Sequence, residues 1–434
     1  MTGDTEPSNK TEPLQCEYKF RDQYGVKGKG EQCAEDAHSD GKCILHINFP
    51  ANKDSPEYED IAAKKAEKIR EKAEKDDFYF EGAILPAIDF SERSVLGFVF
   101  VDATIGGVAS FTGATFKGRA WFLQAIFEGD ALFDSATFEG RVWFTGATFK
   151  ENASFERVTF QEDVLFDEAT IKWDAFFQRA SINGTADFRR ADIAGRASFG
   201  ETTIGRDVWF VEARVAGDIL FYKAIIDGSV IFDDAALDGK IWFDEARIRG
   251  DVWFRYARIG GYLSIPSKGA QKSEVGGEIN FRETRFLNLT AEEQACRQAK
   301  EYWKDQGDRE QESYYSYREM DARRRAKVWY ARYPELMFKY YFGYGVSSHV
   351  VLRSFLLTMF LFAGFYWVFG ALLTIGELLM CLRFSFLTIW IPAYGIESAK
   401  PAMSIQTIAF IEAIIGAFLW PALIAVIGRR YLGG

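Results

Sequence analysis

The fold is decided by residues 120–160, which read AWFLQAIFEGDALFDSATFEGRVWFTGATFKENASFERVTF. A phenylalanine returns every eleven residues in this stretch, at Phe122, Phe133, Phe144 and Phe155. Helices repeat at about 3.6 residues and strands at about two, so neither explains this period. A fixed long period that persists over many units indicates a solenoid.

The same period extends well beyond that stretch. One apolar series runs in steps of eleven from Phe100 to Ile265, and a second series, from Ile105 to Ile259, divides each step into five and six residues. Small residues stand two positions before many of these apolar residues, as at Ala120, Ala125, Ala131, Ala136, Ala147 and Ala153.

This spacing predicts a square-sided β-helix in which each side points one large and one small residue inward. Two eleven-residue units form a coil of 22 residues, so sixteen units make about eight coils, each rising ~4.8 Å. The Phe rings would stack along the axis, where each buried ring stabilises the fold by about 1.5–3 kcal/mol. We expect a break of register at 266–277 and a last partial coil around Phe281 and Phe286. A corner where a Cβ is costly would be marked by Gly184, Gly195, Gly217, Gly228, Gly239 and Gly250.

The alternation of five- and six-residue steps resembles the pentapeptide-repeat family over residues 98–286. The resemblance implies a right-handed quadrilateral β-helix, which we assign to residues 98–289. Carboxylates on its surface are expected to keep the rod soluble rather than to form an active site; they are Asp167, Glu168, Asp233, Asp234, Asp244 and Glu245.

Composition excludes several functional classes. Of the 434 residues 40 are Phe, whereas only three are His and five are Cys, so chemistry that needs many His or Cys is excluded. The net charge of -10 argues against a general nucleic-acid-binding protein. Because the sequence has no phosphate loop, nucleophile–base pair or open metal site, we do not expect an enzyme.

Residues 1–54 carry a candidate metal site. Cys16, Cys33, Cys43 and His46 lie in one short window, and the Cys-x-x-His spacing at its end lets two side chains face one ion. Three thiolates and an imidazole would complete a closed, structural zinc site. The ion would supply the folding energy of a segment too short to bury a core. The alternative is that these are free cytosolic thiols in a flexible tail.

Two helical segments flank the predicted rod. Residues 55–97 are expected to form a charged helix, with proline in its first turn, and the N-terminal cap of the solenoid. Residues 290–344 are expected to form a helical cap over the open end and a basic linker, with helices at about 290–305 and 310–330; the first begins with a capping box, TAEE. The basic run RRRAK at 323–327 favours contact with anionic lipid headgroups.

Residues 345–434 have the composition of a membrane domain. Residues 354–376 carry no charge over 23 positions, which is long enough to cross a bilayer. Residues 404–428 form a second apolar stretch with Glu412 as its one ionisable residue. Positive residues flank the outer ends of both stretches, so the positive-inside rule places both termini and the rod in the cytoplasm. We therefore expect two crossings of a cell inner membrane.

The segment between these two stretches is too short to span. Residues 378–391 correspond to about one short apolar helix, and an irregular Tyr-Gly turn follows. Backbone of this kind at membrane depth is tolerated only where protein or a water-filled cavity surrounds it. The order of span, half-helix, turn and span resembles the pore domain of two-span potassium channels, over about residues 345–431.

The second resemblance implies specific pore residues. Those of the pore helix and filter would be Thr388, Ile391, Pro392, Ala393, Tyr394 and Gly395. Pro392 and Ala393 depart from the family filter, because proline fixes φ and alanine adds a Cβ where the family has glycine. A ring of carbonyls that replaces the hydration of potassium is not secured by this sequence. Either a wider, less selective pore or a pore that does not conduct would result.

Two residues of the second apolar stretch are candidates for gating. Gly416 would be the hinge of the inner helix, as implied by the resemblance. Glu412 lies within a predicted span, where an acidic residue usually faces the protein interior. Two roles stay open for it: a group that meets the permeating ion, or a carboxyl that hydrogen-bonds the pore helix and never meets an ion.

Two functional hypotheses follow from these regions. In the first, four chains surround a path for monovalent cations, and cytoplasmic rods bind a protein partner or hold the homotetramer together. The C-termini of the half-helices would aim partial negative charge at the central cavity, which favours cations. In the second, a non-conducting anchor tethers the rod to the lipid bilayer, and the rod acts as a scaffold for partner proteins.

Overall fold

The computed structural model describes residues 14–20, 31–264, 274–345, 348–369, 375–390 and 403–427. The chain divides into two compact units, Met1–Asn288 and Leu289–Gly434.

The first unit is built around a solenoid of two-residue parallel strands arranged in four sheets. Thr137 pairs with Thr115 on one side and Thr159 on the other. Partners are thus one 22-residue coil apart, as the period predicts, and each coil gives one strand to each sheet.

The strands of the first sheet are Ile84–Leu85, Thr104–Ile105, Ile126–Phe127, Thr148–Phe149, Thr170–Ile171, Asp192–Ile193, Arg214–Val215, Ala236–Leu237, Arg258–Ile259 and Arg285–Phe286. Those of the second sheet are Ile88–Asp89, Ala109–Ser110, Ala131–Leu132, Ala153–Ser154, Ala175–Phe176, Ala197–Ser198, Ile219–Leu220, Ile241–Trp242 and Leu263–Ser264. Those of the third sheet are Ser94–Val95, Thr115–Phe116, Thr137–Phe138, Thr159–Phe160, Ser181–Ile182, Thr203–Ile204, Ile225–Ile226, Arg247–Ile248 and Glu274–Val275. Those of the fourth sheet are Phe98–Val99, Ala120–Trp121, Val142–Trp143, Val164–Leu165, Ala186–Asp187, Val208–Trp209, Val230–Ile231, Val252–Trp253 and Ile279–Asn280.

The regular coil length changes at both ends of the solenoid. The strands begin at Ile84, ahead of the predicted start at residue 98, and Ile84 pairs with Thr104 across a shorter first coil. Near the other end Arg247 pairs with Glu274, which is 27 residues further along rather than 22. The five extra residues fall where the sequence predicts the break of register.

The core of the solenoid consists of stacked phenylalanine rings. Phe133 stacks on Phe155 of the next coil, with ring centroids 5.0 Å apart and planes 4° apart. It also meets Phe144, from the opposite side of the coil, edge to face at 5.4 Å. Offset-stacked and edge-to-face pairs are both favoured by the ring quadrupole. Ring contacts along the axis and across the coil therefore both stabilise the core.

One corner of each half-coil has a left-handed residue that the sequence analysis does not anticipate. It lies two positions after an inward phenylalanine, as Arg157 and Glu168 do, each with φ near +60°. A non-glycine residue in this conformation is strained by roughly 1–2 kcal/mol. The N–H of Arg157 donates to the Gln178 carbonyl at 2.9 Å, and the same ladder contact repeats at Glu168.

The recurring glycines mark a different feature from these corners. Their φ values are not positive; instead, an added Cβ at Gly217 would lie 2.2 Å from the Gly195 carbonyl oxygen of the preceding coil. Such a Cβ is costly, as predicted, because neighbouring coils approach closely there.

A helix and a short N-terminal module, which comprises the described residues 14–20 and 31–54, cover part of the first coil. Helix α1, Pro56–Glu74, begins after Ser55, whose side chain accepts a hydrogen bond from the Tyr58 N–H. The buried Lys65 ammonium of α1 donates to the carbonyls of Ile47, at 2.7 Å, and Ile84. The contact with Ile84 occupies a carbonyl that an uncovered strand edge would present to another chain.

The second unit is helical. Its helices are α2 (Leu289–Gln306), α3 (Arg309–Ala326), α4 (Trp329–Phe342), α5 (Ser348–Phe369), α6 (Ile375–Trp390) and α7 (Met403–Ile427), with a 3₁₀ turn at Gly343–Gly345. The break near residue 307 is as predicted, and Asp308 caps α3 by accepting from two N–H groups. The predicted second helix through Tyr330 is too long, since α3 ends at Ala326 and a separate α4 begins at Trp329.

Helices α5, α6 and α7 pack against one another. Their shared core contains Phe362, Ala363 and Tyr366 of α5, Cys381 of α6 and Ala409 of α7. The structure therefore places a 16-residue helix between two longer ones of 22 and 25 residues.

Candidate functional site

The four predicted metal ligands converge in the N-terminal module. Cys16 and Cys33 lie on two facing segments, where the Cys33 N–H donates to the Tyr18 carbonyl at 2.8 Å. Cys43 and His46 are joined by one turn, closed by the His46 N–H and the Cys43 carbonyl at 3.0 Å. All four side chains are buried, and their ligand atoms lie within 4.8 Å of one another. This Cys3His cluster could hold a metal ion.

The spacing of the ligand atoms is close to that of a tetrahedral site. The Cys33 and Cys43 sulfurs are 4.0 Å apart, and Cys16 Sγ is 3.5 Å from His46 Nδ1. A tetrahedron with Zn–S bonds of ~2.3 Å has S···S edges of about 3.8 Å. Cys43 Sγ and His46 Nδ1 are 3.0 Å apart, so small shifts of these side chains would bring the four ligand atoms into position around one ion.

Two contacts of His46 could not be predicted from the sequence. His46 Nε2 lies 3.0 Å from the Glu81 carbonyl oxygen, which can only accept, so Nε2 carries the proton. Nδ1 is then left with its lone pair toward the thiols, as a metal ligand requires. The Tyr18 ring stacks on the imidazole with centroids 4.0 Å apart. Glu81 follows His46 by 35 residues, and no local motif connects the two.

The electrostatics of the cluster favour a cation. The hydrogen bond from Cys43 lowers the pKa of Cys33 to about 4. The same hydrogen bond, burial and the Cys33 charge raise the pKa of Cys43. One thiolate therefore forms readily, and a second is resisted until positive charge enters the cluster.

Glu412 is fully buried between three helices. Its carboxyl accepts hydrogen bonds from the Tyr366 hydroxyl of α5 and the Ser385 hydroxyl of α6, and its exposure is 0%. Of the two roles left open by the sequence, these contacts are those of a carboxyl bonded to the predicted pore helix.

Gly416 lies where α7 crosses α6. An added Cβ at this position would lie 2.7 Å from the Ile389 carbonyl oxygen and 2.8 Å from its Cα. Since such contacts are too short for any real Cβ, the glycine is needed for close packing of the two helices. The hinge role of Gly416 stays a prediction.

The predicted filter is only partly within the described residues. Thr388 is buried on α6, where its hydroxyl donates to the Phe384 carbonyl at 2.9 Å. The other predicted filter residues lie outside the described part of the chain; they are Ile391, Pro392, Ala393, Tyr394 and Gly395.

Among the described residues, one helical stretch, His349–Val368, is long and apolar enough to cross a membrane. The apolar stretches within α6 and α7 are shorter; they are Met380–Trp390 and Thr407–Leu419.

Much of the basic charge at the end of α3 is paired within the helical unit. Arg324 donates to Asp321 at 2.9 Å and to the Tyr344 hydroxyl at 3.1 Å. Arg325 pairs with Glu292 at 2.5 Å, and Lys327 pairs with Glu335. These ion pairs leave less positive charge for lipid headgroups than the sequence RRRAK suggests.

The repeated coils of the first unit match a known protein family. A family model described as Pentapeptide repeats (9 copies) matches residues 80–136, 122–170, 166–214 and 177–225. The solenoid is a pentapeptide-repeat domain. No curated protein and no solved structure matches the chain significantly.

The surface of the pentapeptide-repeat domain carries ion pairs between successive coils. Examples are Arg141 with Asp163 at 2.6 Å and Arg196 with Asp174 at 3.1 Å. Two of the predicted solubilising carboxylates take part in such pairs: Glu168 pairs with Arg190 at 3.0 Å, and Asp233 pairs with Arg255, which also lies over the Trp253 ring. These two carboxylates therefore join successive coils.

Proposed function

We propose that the chain is a membrane protein in which four copies of α5–α7 surround a path for monovalent cations. The supporting observation is the position of the 16-residue helix α6, which packs on both α5 and α7 and whose Ser385 is bonded to Glu412 of α7. Of these helices, α5 contains the stretch that is long and apolar enough to cross a membrane. A re-entrant segment at membrane depth is tolerated in this kind of setting, where protein surrounds it.

The helical core exposes two apolar faces. Helix α5 exposes Leu357 and Leu361, and α7 exposes Phe410, Ile414 and Phe418. A single chain that only crossed the bilayer would need lipid on every side. In the proposal the α5 face meets lipid, and the α7 face meets neighbouring chains and the ion path, with closed rotational symmetry.

The proposal gives Glu412 a structural role in the pore. Its bonds to Tyr366 and Ser385 would fix the short helix against the inner helix. Ions would meet residues 391–395 instead, where the fixed φ of Pro392 and the Cβ of Ala393 disfavour the ring of carbonyls that strong potassium selectivity requires. Both ends of the chain and the pentapeptide-repeat domain would lie in the cytoplasm, with the domain available to a protein partner.

We also propose that the Cys3His cluster binds Zn²⁺ as a structural ion. Cys16, Cys33, Cys43 and His46 would fill all four positions, which leaves none for a substrate. The ion would neutralise the buried thiolates and hold the two facing segments to the turn at residues 43–46.

A bilayer recording on the purified full-length protein tests the channel. With asymmetric sodium and potassium chloride, we expect single-channel currents whose reversal potential shows weak discrimination between the two cations. Gly395→Ala should abolish the current. Gly364→Ala is the matched control, because a Cβ there meets no described atom within 4 Å. A correctly assembled native protein that stays silent would exclude conduction and favour the tethered scaffold.

A further inference from the structure

Helix α4 presents an aromatic face that no described part of the helical unit covers. Trp329, Tyr330, Tyr333 and Tyr340 are between 58% and 69% exposed. At 100° per residue all four fall within about one quarter to one third of the helix circumference. Trp329 also meets Tyr333 edge to face, with centroids 6.1 Å apart, so the rings form one patch.

The opposite side of α4 holds the helix in place. Lys339 pairs with Asp321 of α3 at 2.7 Å, and Glu335 pairs with Lys327. The aromatic patch is therefore presented on a helix whose orientation is fixed by charged contacts on its other side.

The patch is continuous with the candidate membrane span. Only the 3₁₀ turn Gly343–Gly345 and two residues separate α4 from α5. The Ser354 hydroxyl of α5 donates to the Tyr340 carbonyl at 3.1 Å, which ties the end of α4 to the start of the span. The Tyr340 end of the patch thus lies close to the level at which the span would enter the bilayer.

We propose that α4 is an interfacial helix whose Trp329, Tyr330 and Tyr333 rings insert into the headgroup region of the lipid bilayer. Trp and Tyr have an apolar body and a polar tip, and they collect at this depth of the membrane for that reason. The contact differs from the one expected from the basic run, since Arg324, Arg325 and Lys327 are engaged in ion pairs. The inference rests on the proposed membrane span of α5.

Photo-crosslinking in the full-length protein separates this contact from the span itself. p-Benzoylphenylalanine would replace Tyr330, Tyr333, Leu357 or Tyr256, one at a time, in protein reconstituted into vesicles of phosphatidylcholine and phosphatidylglycerol. Leu357 is an exposed residue of α5 (61%), and Tyr256 is an exposed residue of the pentapeptide-repeat domain (53%). Mass spectrometry after irradiation identifies the adducts.

We expect lipid adducts at positions 330 and 333, at least tenfold above those at position 256. Adducts at 330 no more frequent than at 256, or crosslinks from 330 to a second protein chain, overturn the interfacial role of α4. Position 357 judges the span separately. Lipid adducts there with none at 330 and 333 leave the span intact and refute the inference, whereas adducts at 330 and 333 without any at 357 retain the interfacial contact and refute the crossing.

Discussion

The pentapeptide-repeat domain and the helical core bury apolar surface through contacts of opposite kinds. In the solenoid, Phe133 stacks on Phe155, and Phe155 stacks on Phe177 in the same way at 4.9 Å. In the helical core each contact occurs once: Tyr366 reaches Glu412 across 46 residues of chain, and Gly416 admits the Ile389 backbone.

The two regions differ in how far the effect of a single substitution spreads through the structure. A solenoid coil touches only the coils before and after it, so its stability is close to a sum of neighbouring terms. The helical core has one contact of each kind, and a change at any of them alters the packing of all three helices. The Cys3His cluster is a third case, because it belongs to the first unit but does not repeat.

The largest effect is expected at the Cys3His cluster, for which we propose zinc binding. Cys43→Ser removes one ligand, and structural zinc binding is worth about 10–16 kcal/mol in small zinc-dependent domains. We expect zinc, measured by plasma mass spectrometry, to fall from about one ion per chain to near zero, with protease cleavage appearing in the N-terminal module. Cys296→Ser is the control, since Cys296 is buried in α2, far along the chain from the cluster. Native protein that carries no metal after purification with zinc present would contradict the assignment.

The next effect tests the nearest-neighbour behaviour of the solenoid. Phe155→Ala leaves a cavity between Phe133 and Phe177 and should lower the free energy of unfolding by about 3–5 kcal/mol. Phe281→Ala should cost less, because Phe281 stacks on Phe254 near the end of the column. Guanidinium unfolding followed by circular dichroism compares both with the exposed-site control Glu151→Ala. Equal losses at the two Phe positions would argue against a sum of local terms.

Gly416→Ala is expected to have an effect of intermediate size. The added Cβ forces α7 away from Ile389, and overpacking of this kind costs about 1–3 kcal/mol. Gly364→Ala in α5 is the matched control, because its Cβ enters open space among the described residues. Thermal unfolding in detergent should show a lower midpoint for the first variant only. A hinge without packing constraint would leave both midpoints unchanged.

A smaller effect is expected from the Glu412 hydrogen bonds. Tyr366→Phe removes one donor while keeping the ring, and a hydrogen bond between membrane helices contributes about 0.6 kcal/mol on average. A double-mutant cycle with Glu412→Leu, which removes the acceptor, should give coupling of that order, again by thermal unfolding. As a control, Tyr333→Phe on the exposed face of α4 should leave the unfolding midpoint unchanged. A coupling energy of zero between positions 366 and 412 would mean that the contact does not contribute to stability.

The smallest effect is expected at the surface ladder. Arg196→Ala removes the pair with Asp174, in which the Arg196 side chain is 49% exposed. Pairs of this type contribute about 0.2–1 kcal/mol and are screened by salt. The difference from native protein in urea unfolding should therefore shrink between low salt and 1 M sodium chloride. A difference that grows with salt would show that Arg196 acts through packing on the coil surface.

The solenoid could be predicted from sequence, because residues separated by a fixed number of positions contact one another in successive coils. The burial of Phe122 and Ala131 and the extra residues after Arg247 all follow from counting. The left-handed corners could not be found in this way. Glu168 and Arg157 occupy them, and charged residues give no sign of a conformation that usually favours glycine.

Single contacts across long stretches of chain were beyond the reach of the sequence. The cysteines and His46 could be grouped by their proximity in sequence, but Glu81, which orients the imidazole, could not. Likewise, the chain shows that Glu412 is rare in an apolar stretch, but only the packing of α5 and α6 shows that Tyr366 and Ser385 are its partners.

The buried ammonium of Lys65 has a consequence for how copies of this protein can meet. A solenoid with a bare first coil could accept the last coil of another molecule and grow end to end into a filament. Here the Ile84 carbonyl is occupied by Lys65, and the Val99 carbonyl accepts from the Phe80 N–H at 2.8 Å. End-to-end growth through these two sheets would require expelling the Lys65 ammonium and breaking the Phe80–Val99 hydrogen bond.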